Sequence, residues 1–316
     1  MQFTTPVPIS KSDFAISYES QVFSIGSCFA ENISRKFDHF GFRNTVNPFG
    51  ILFHPLALGK FLGFLSDGKV FDESDVFFHN ERWHCFDAHS DLSHSDKGKL
   101  ISQLTEVTSG ASEKLKNATH VIITLGTAWV YRENASGNLV ANCHKVPQRE
   151  FSKEILSVDA ISASVKNMVK SVSEVNPKAQ IIFTISPVRH LKDGFVENQR
   201  SKANLISGLH SAIGNFENCR YFPSYEIVMD ELRDYRFYAS DMLHPNQIAI
   251  DYIWEKFASA WVSESAFADM AEVDSIRKAL AHRPFNLESE QHLKFVQNTQ
   301  NRILQLRNRL SFLTFD

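Results

Sequence analysis

Two side chains that can act as nucleophiles stand next to each other early in the chain. An apolar run at residues 21–26 ends in a glycine, and Ser27 and Cys28 follow at once. A helical pattern begins directly after them, so both are predicted to lie at a helix N-terminus, where backbone N–H groups favour an anion. A thiol at such a position is favoured as its thiolate. The segment therefore predicts a nucleophilic turn, with Cys28 or Ser27 as the attacking group.

A second segment holds the residue types that activate a nucleophile. In SDMLHPN, Asp241 and His244 stand three residues apart in a loop before a predicted helix. One loop can then hold a histidine base and the carboxylate that orients its imidazole ring. Without other evidence, the same residues are equally typical of a capped turn and a surface histidine.

Two glycine-bearing segments add candidate binding groups. Asn47 and Gly50 lie in NPFG, where a glycine N–H could face a developing oxyanion. TLGTAW contributes Gly126, Thr127 and Trp129 at the end of a second strong strand, and a glycine there permits close approach of the backbone to a ligand. Each segment alone is also compatible with a plain turn.

Two further side chains are candidates for substrate binding. His144 in NCHKVP is predicted to line a pocket, with a hydrogen-bonded structural histidine as an equal alternative. Arg189 in SPVRH could hold an anionic group of the substrate, although an ion pair with a surface acid is favoured for it.

The elements that must position these groups are those of a parallel α/β sheet. Apolar, β-branched runs at 21–26, 119–126, 179–187 and 219–224 alternate with helical patterns, and a further strand is predicted near 41–46. Helices are predicted at about 29–40, 55–66, 97–117, 151–174, 197–214 and 246–263. Because open sheets of this kind bind ligands at the carboxyl ends of their strands, the candidate residues are expected to meet at one edge.

The order of these segments resembles that of the SGNH (GDSL-like) hydrolase superfamily and, within it, the GSCFA family, which is named for the residues that stand here at 26–30. NPFG, TLGTAWVY, LRDYRFY and DMLHPN also carry the resemblance, which covers about residues 2–262. It implies a flavodoxin-like three-layer α/β/α sandwich with a mostly parallel sheet. The domain is expected to span 1–263, followed by a helical C-terminal extension at 264–316.

The resemblance also implies roles for individual residues. Asp241 and His244 match the Asp-x-x-His of the superfamily's last block, and Gly50 matches the glycine of its second block. In the first block, Cys28 stands where the superfamily has its serine nucleophile, and Ser27 stands where it has aspartate. The resemblance therefore favours Cys28 as the nucleophile, with Ser27 as the alternative.

The third block departs from the superfamily pattern. Gly-x-Asn is expected there, but the chain reads Gly126-Thr127-Ala128, and alanine has no side-chain donor. Losing one oxyanion-hole donor typically costs about 3 kcal/mol in the transition state. Thr127, Trp129 or His144 would have to replace the asparagine, or the oxyanion hole has only two backbone donors.

Two functions are compatible with these residues. The first is an esterase or acyltransferase that acts on an ester or thioester, with an acylated carbohydrate as substrate by analogy with the superfamily. The second is a non-catalytic module that binds a small molecule or carbohydrate on a degenerate SGNH fold. A phosphate-binding function is disfavoured, because GSCFAEN lacks the glycines and lysine of a P-loop.

The amino-acid composition limits the kinds of partner that the protein is expected to bind. The chain has 316 residues, 43% of them apolar and 22% charged, with a net charge of -3, so no nucleic-acid surface is expected. No apolar run approaches the roughly 20 residues of a membrane helix, and the N-terminal residues lack a secretory pattern, which predicts a cytoplasmic protein. The four cysteines form no CxxC pair, and neither a metal nor a cofactor is expected. A homodimer through the C-terminal helices is a further expectation.

Overall fold

The computed structural model describes residues 5–315, in which strands and helices follow one another from Gln21 onward. The strands are β1 (Gln21–Gly26), β2 (Arg43–Val46), β3 (Phe77–His79), β4 (Arg82–His84), β5 (His120–Leu125), β6 (Trp129–Glu133), β7 (Leu139–Val140), β8 (Phe151–Ile155), β9 (Gln180–Ile185) and β10 (Cys219–Phe222). The helices are α1 (Cys28–His39), α2 (Pro55–Asp67), α3 (Lys97–Lys116), α4 (Val158–Val175), α5 (Phe195–Ile213), α6 (Ser224–Glu226), α7 (Gln247–Trp261), α8 (Phe267–Ala281) and α9 (Glu290–Arg309). The first four residues of the domain predicted at 1–263, and the last residue of the predicted extension, lie outside the described part.

Five of the strands form the central sheet, in the order β10-β9-β5-β1-β2, and every pair in it is parallel. Counted along the chain, this is the order 2-1-3-4-5 of flavodoxin-like folds, whose ligand crevice lies where the strand order reverses. Here the reversal falls between β1 and β5. The predicted fold class, a mostly parallel α/β sheet with additional C-terminal helices, is confirmed.

Hydrophobic clusters cover both faces of the sheet. On one face, Phe23 and Ile123 pack with residues of α2 to α5, and on the other, Val22 and Ile122 pack with residues of α1 and α7. All six residues of β5 are buried. This two-sided burial explains why Val121, Ile122 and Ile123 are apolar in succession rather than alternating with polar residues.

Aromatic packing holds α1 in place. Phe37 is fully buried, and its ring meets Trp254 and Phe257 of α7 edge-on, with centroid distances of 5.0 and 5.8 Å. A fully buried side chain of this size contributes about 1.5–3 kcal/mol through burial alone. The first turn of α1, where Cys28 stands, is therefore fixed relative to the sheet by contacts near the other end of the helix.

One predicted helix begins later than expected. The helix predicted at 151–174 starts at Val158, because residues 151–155 form β8, which pairs antiparallel with β6. Side chains along β8 alternate between facing the core and facing solvent, which is the period of a strand. Backbone pairing with β6 outweighs the local helical preference, and Ser157 then caps α4 through a hydrogen bond from the Ala160 N–H.

The helices after residue 264 pack on the domain. Val273 and Ile276 of α8 and Leu306 of α9 belong to the same buried cluster as residues of α1 and α7. Arg302 of α9 donates to both carboxylate oxygens of Glu272 at 2.8 and 3.0 Å, which joins the two helices. The domain boundary at 263/264 and the homodimer stay predictions. None of the helices within residues 5–315 combines the length and the apolar character that crossing a bilayer requires.

Candidate active site

The end of β1 has a backbone conformation that favours glycine. Gly26 has φ +143°, and a Cβ on it would lie 2.3 Å from the carbonyl oxygen of Thr124 on β5. Ser27 follows as the N-cap of α1, with its Oγ accepting from the Phe29 N–H at 3.4 Å. The chain thus passes from strand to helix within one residue, and Cys28 stands in the first helical turn at the carboxyl edge of the sheet.

The two candidate nucleophiles differ in accessibility. Ser27 is completely buried, and its hydroxyl oxygen faces the backbone of the helix that it caps. Cys28 is half-buried and packs against the hydrophobic cluster of α1 and α7. Of the two side chains, only Cys28 has surface that a substrate can reach without movement of the helix.

The environment of Cys28 corrects one expectation. A helix N-terminus was expected to favour the thiolate, but burial, followed by the charge of Glu31, raises the pKa of the Cys28 thiol. Lys202 and the backbone N–H groups of Phe29 and Cys28 act in the opposite direction and do not outweigh burial. Because Cys28 is then mainly a thiol at neutral pH, it needs a base to become a nucleophile.

The loop before α7 supplies a histidine–carboxylate pair. His244 Nδ1 lies 2.6 Å from Asp241 Oδ2, while Asp241 Oδ1 accepts from the N–H groups of Leu243 and His244 at 2.9 and 3.0 Å. These backbone hydrogen bonds, together with that from the His244 side chain, lower the pKa of Asp241 to about 2. The carboxylate therefore stays ionised at neutral pH and can orient the imidazole and stabilise its protonated form.

Arg189 holds this loop rather than facing open solvent. Its backbone N–H donates to the Leu243 carbonyl at 3.1 Å, which ties the end of β9 to the loop that carries His244. Its guanidinium stacks over the rings of Tyr238 and Tyr235, 4.2 and 5.3 Å from their centroids. Within the described residues, Arg189 forms no ion pair with an acid, and its role as a ligand of an anionic group stays a prediction. Within residues 5–315, no hydrogen bond joins Cys28 to His244.

Residues of the predicted second block form hydrogen bonds that support the nucleophile turn. The Oδ1 of Asn47 accepts from the Gly26 N–H at 2.8 Å, and the Gly50 N–H donates to the Asn47 carbonyl at 2.7 Å. Gly50 has φ +73°, and a Cβ on it would lie 2.2 Å from Cβ of His89. The Gly50 N–H is therefore engaged within its own turn, which corrects its expected role as an oxyanion donor, and Asn47 supports Gly26 rather than a substrate.

Replacing Asn47 by alanine is expected to lower the free energy of unfolding by about 1–3 kcal/mol, because it leaves the buried Gly26 N–H without an acceptor. Asn47 also has φ +42°, which alanine tolerates poorly. Asn47→Gly also removes the acceptor, but glycine adopts this φ without strain. The free energy of unfolding of Asn47→Gly should therefore lie between those of the wild type and Asn47→Ala. Urea unfolding of the three proteins tests this, and an Asn47→Ala variant as stable as the wild type would contradict it.

In the predicted third block, the backbone N–H groups and the threonine hydroxyl also form hydrogen bonds within the protein. The N–H groups of Gly126 and Thr127 both donate to the Phe53 carbonyl, at 2.8 and 3.1 Å. Thr127 Oγ1 lies 3.1 Å from Ser201 Oγ, which also accepts from the N–H of the buried Ala128 at 2.7 Å. The Gly126 N–H is therefore already engaged, and so is the hydroxyl of Thr127, one of the expected substitutes for the missing asparagine.

An open cavity of about 340 Å³ lies beside the third block. Phe53, Thr127, Trp129, Tyr131, Cys143 and His190 are among the residues that line it. The strands β6 and β7 and the segment after them form one wall of the cavity. Ser27, Cys28, Asp241 and His244 are not among the residues that line the cavity. The cavity is connected to the nucleophile turn through Gly126, the neighbour of the lining residue Thr127, because a Cβ on Gly126 would lie 3.2 Å from Cβ of Ser27.

His144 lies in the protein interior, away from this cavity. It is 3% exposed, its Nε2 lies 2.7 Å from the Cys85 carbonyl, and its Nδ1 lies 3.1 Å from Ser90 Oγ. Burial lowers the pKa of His144 to about 4, so the ring is neutral at pH 7. Of the two interpretations of His144, the structure supports the hydrogen-bonded structural histidine rather than the pocket residue.

A buried lysine lies beneath the carboxyl ends of two strands. Lys202 of α5 is 1% exposed, and its Nζ donates to the carbonyls of Gly126 and Ser186 at 2.7 and 2.6 Å. Burial lowers the pKa of Lys202 to about 7, and Cys28 opposes this shift. The i, i+4 spacing of Asn198 and Lys202 after SPVRH is compatible with both lining the mouth of the site, but in the structure both side chains are buried.

The fold and these strand-end groups define a doubly wound α/β protein with a candidate site at the point where its strand order reverses. The chain belongs to the GSCFA family, whose model matches residues 21–257, and a model described as the C-terminal domain of GSCFA domain proteins matches residues 273–316. The family prediction is therefore confirmed. Within residues 5–315, no group of three or more histidine, cysteine or acidic side chains is arranged to hold a metal ion.

Among solved structures, the chain is similar to an acetyl xylan esterase from the rumen bacterium Butyrivibrio proteoclasticus, with 12% sequence identity and a TM-score of 0.41. The match covers 87% of this chain and 66% of the esterase chain. No curated protein matches the sequence.

Proposed function

We propose that this protein is an SGNH-type esterase or acyltransferase that uses Cys28, His244 and Asp241 on an ester or thioester. The observation that carries the proposal is the Asp241–His244 pair, hydrogen-bonded at 2.6 Å in a loop that is tied to the end of β9. Cys28 stands at the carboxyl edge of the same sheet, after a glycine turn. A nucleophile, a base and an orienting carboxylate at one sheet edge are the groups that acyl transfer needs.

In the acylation step, His244 Nε2 takes the proton of the Cys28 thiol as Sγ bonds to the carbonyl carbon. The carbonyl oxygen becomes an oxyanion, and Asp241 stabilises the imidazolium through Nδ1–H. When the intermediate collapses, the bond to the alcohol or thiol leaving group breaks, and His244 returns the proton to that group. Cys28 is left as a thioester.

In the second step, His244 takes a proton from water or from an acceptor alcohol, whose oxygen attacks the thioester carbonyl. The C–S bond breaks, and Cys28 recovers its proton from the imidazolium. Water as the acceptor gives a carboxylic acid and therefore hydrolysis, whereas an alcohol gives a new ester. Because burial raises the pKa of Cys28, proton transfer to His244 accompanies thiol attack rather than preceding it.

The substrate is proposed to occupy the cavity of about 340 Å³ beside the third block. Trp129 and Tyr131 give it aromatic surface, and Asn142 and Lys153 give it polar groups. A wall that combines aromatic faces with hydrogen-bonding side chains is suited to a small ester such as an acylated sugar.

The alternative function is a non-catalytic module that binds a small molecule or carbohydrate. One observation favours it: the N–H groups of Gly50, Gly126 and Thr127 donate to backbone carbonyls and are not available to an oxyanion. The N–H of Cys28 itself, at the first position of α1, has no carbonyl partner within the helix and is the backbone donor that acyl transfer would use.

The test is to trap the acyl-enzyme. Wild-type protein is incubated with p-nitrophenyl esters, acyl-CoA thioesters and acetylated methyl glycosides, and peptide mass spectrometry then locates any acyl group. We expect the acyl mass on the peptide that contains Cys28, removable by hydroxylamine as a thioester is, together with release of the leaving group. Binding of a panel member without turnover or adduct would favour the binding module, and an adduct on Ser27 would overturn the choice of nucleophile.

A further inference from the structure

A small pocket of about 160 Å³ adjoins the loop that carries His244. Two of its residues are connected to that loop: the Arg189 N–H donates to the Leu243 carbonyl at 3.1 Å, and Tyr238 forms an antiparallel β-bridge with Pro245. Of residues 5–315, none lines both this pocket and the cavity beside the third block. The residues that line the small pocket include Arg189, Arg233, Asp234, Tyr235 and Tyr238, and all but the first belong to LRDYRFY, a motif that the proposed acyl transfer does not use.

The pocket contains positive charge that no acid of the described residues neutralises. Arg233 is exposed and Arg189 is half-buried, and within residues 5–315 neither guanidinium forms an ion pair. The one acid that lines the pocket, Asp234, is bound elsewhere: its Oδ2 accepts from the Arg236 guanidinium at 2.9 Å, and its Oδ1 accepts from the Arg236 N–H at 2.8 Å. Two guanidinium groups and one engaged carboxylate leave an excess of positive charge, which attracts an anion.

Two tyrosine rings fix the guanidinium of Arg189. Its central carbon lies 4.2 Å from the ring centroid of Tyr238 and 5.3 Å from that of Tyr235, and the two ring centroids are 5.9 Å apart. The N–H donors of a guanidinium lie in its plane, so stacking through its face leaves them available to a ligand. Because Arg189 is already held in place, its side chain loses little conformational freedom when a ligand binds.

A single π-helical turn, Ile227–Glu231, leads into Arg233. The turn is closed by the Leu232 N–H, which donates to the first carbonyl of the turn at 3.0 Å. Val228 and Met229 of this turn form the apolar part of the pocket wall. Isolated π-helical turns are rare and are frequently found at functional sites, so the local backbone is a second indication that this pocket binds a ligand.

From this geometry we infer that the pocket binds a phosphate group, either as the free anion or as part of a larger ligand. The planar fork of arginine matches the oxygens of a phosphate in two-point contacts, and two guanidinium groups match the charge of a dianion better than that of a carboxylate. Pockets that enclose a whole ligand usually measure roughly 300–1,000 Å³, so a volume of about 160 Å³ accommodates one such group. The inference does not depend on the proposed acyl transfer, because neither Cys28 nor His244 lines this pocket.

Titration of inorganic phosphate into the protein tests the inference, by calorimetry at low ionic strength in a buffer that contains no other oxyanion. We expect saturable binding to the wild type. Arg233→Gln should weaken it by at least about threefold, and Asp234→Asn should tighten it by about twofold, because asparagine removes the negative charge but still accepts from the Arg236 N–H.

The matched control is Arg283→Gln, which removes the same charge at an exposed position between α8 and α9 and should bind phosphate as the wild type does. Arg233 is exposed and forms no ion pair within residues 5–315, so its replacement is expected to leave the fold intact. The absence of saturable binding to the wild type, or equal affinities of Arg233→Gln and Arg283→Gln, would overturn the inference.

Competition identifies the source of the phosphate. The titration is repeated in the presence of coenzyme A, which carries phosphate groups, or of pantetheine, which carries the same thiol without them. Loss of phosphate binding with coenzyme A alone would support a phosphate that belongs to a larger ligand, and undisturbed binding with both would support a site for the free anion. Loss of phosphate binding with pantetheine would overturn the inference, because pantetheine has no anionic group.

Discussion

Replacing Cys28 by alanine is expected to lower kcat/KM for the preferred acyl donor by at least about 1,000-fold, because no other group at the mouth of the nucleophile turn can form the covalent intermediate. Ser27 is completely buried and caps α1, so it cannot take over the attack without unwinding the first turn. Steady-state kinetics on the ester that gives the strongest acyl adduct measure the effect.

Ser27→Ala is the matched control for this prediction. It removes the N-cap oxygen and should lower the free energy of unfolding by about 1 kcal/mol, while kcat/KM stays within about tenfold of the wild type. The opposite pattern, activity that survives Cys28→Ala and disappears in Ser27→Ala, would make Ser27 the nucleophile. A loss in both variants with a normal unfolding curve for each would mean that the hydroxyl and the thiol act together.

Replacing Lys202 by methionine is expected to change both the stability and its pH dependence. The substitution leaves the buried carbonyls of Gly126 and Ser186 without their donor, which should lower the free energy of unfolding by about 2–5 kcal/mol at pH 8.5. The cost should be smaller at pH 6, because the wild type must then keep a buried positive charge that methionine lacks.

The direction of this pH dependence follows from the number of protons that the folded and unfolded chains bind. Folding lowers the pKa of Lys202 from 10.5 to about 7, so between these values the unfolded chain binds one proton more than the folded chain. The stabilising contribution of Lys202 is therefore complete above about pH 10.5, decreases as the pH falls from 10.5 to about 7, and levels off below that. From pH 7 to 8.5, the stability of wild type relative to Lys202→Met should rise by about 1–2 kcal/mol.

Urea unfolding at pH 6.0, 7.0 and 8.5 measures the free energy of unfolding of the wild type and of Lys202→Met. In the difference between the two values, the contributions of groups that titrate equally in both proteins cancel. Lys166→Met, at an exposed position of α4, serves as the control and should show a difference that does not vary with pH. A constant difference between wild type and Lys202→Met across the three pH values would contradict the lowered pKa of the buried lysine.

Several features followed from local sequence because their causes are local. The strands of the central sheet were predictable, since a strand covered on both faces carries consecutive apolar residues, as β5 does at Val121, Ile122 and Ile123. The turn at Gly26 was predictable from a glycine between an apolar run and a helical pattern. Asp241 and His244 were predictable as a pair because one short loop carries both of them.

Other features depended on partners far along the chain. Residues 151–155 look helical locally, and only pairing with β6 makes them a strand. The Gly50 N–H, expected at an oxyanion, is taken by a carbonyl of its own turn, and the ring of His144 is turned toward Cys85 and Ser90. Tertiary packing decides which groups of a site are already hydrogen-bonded, and a sequence motif does not show this.

The sequence by itself determined the parallel sheet, the family and the register that sets Cys28 after Gly26, because apolar periodicity and short motifs are local properties of the chain. Only the tertiary structure decided that the thiol is partly buried with a raised pKa and that Lys202 lies, charged or uncharged according to pH, under two strand ends. The physical reason is that burial sets the free-energy cost of a charge and decides which donors find a partner. Burial arises when residues far apart in the sequence meet, as Gly126 and Lys202 do at a separation of 76 residues.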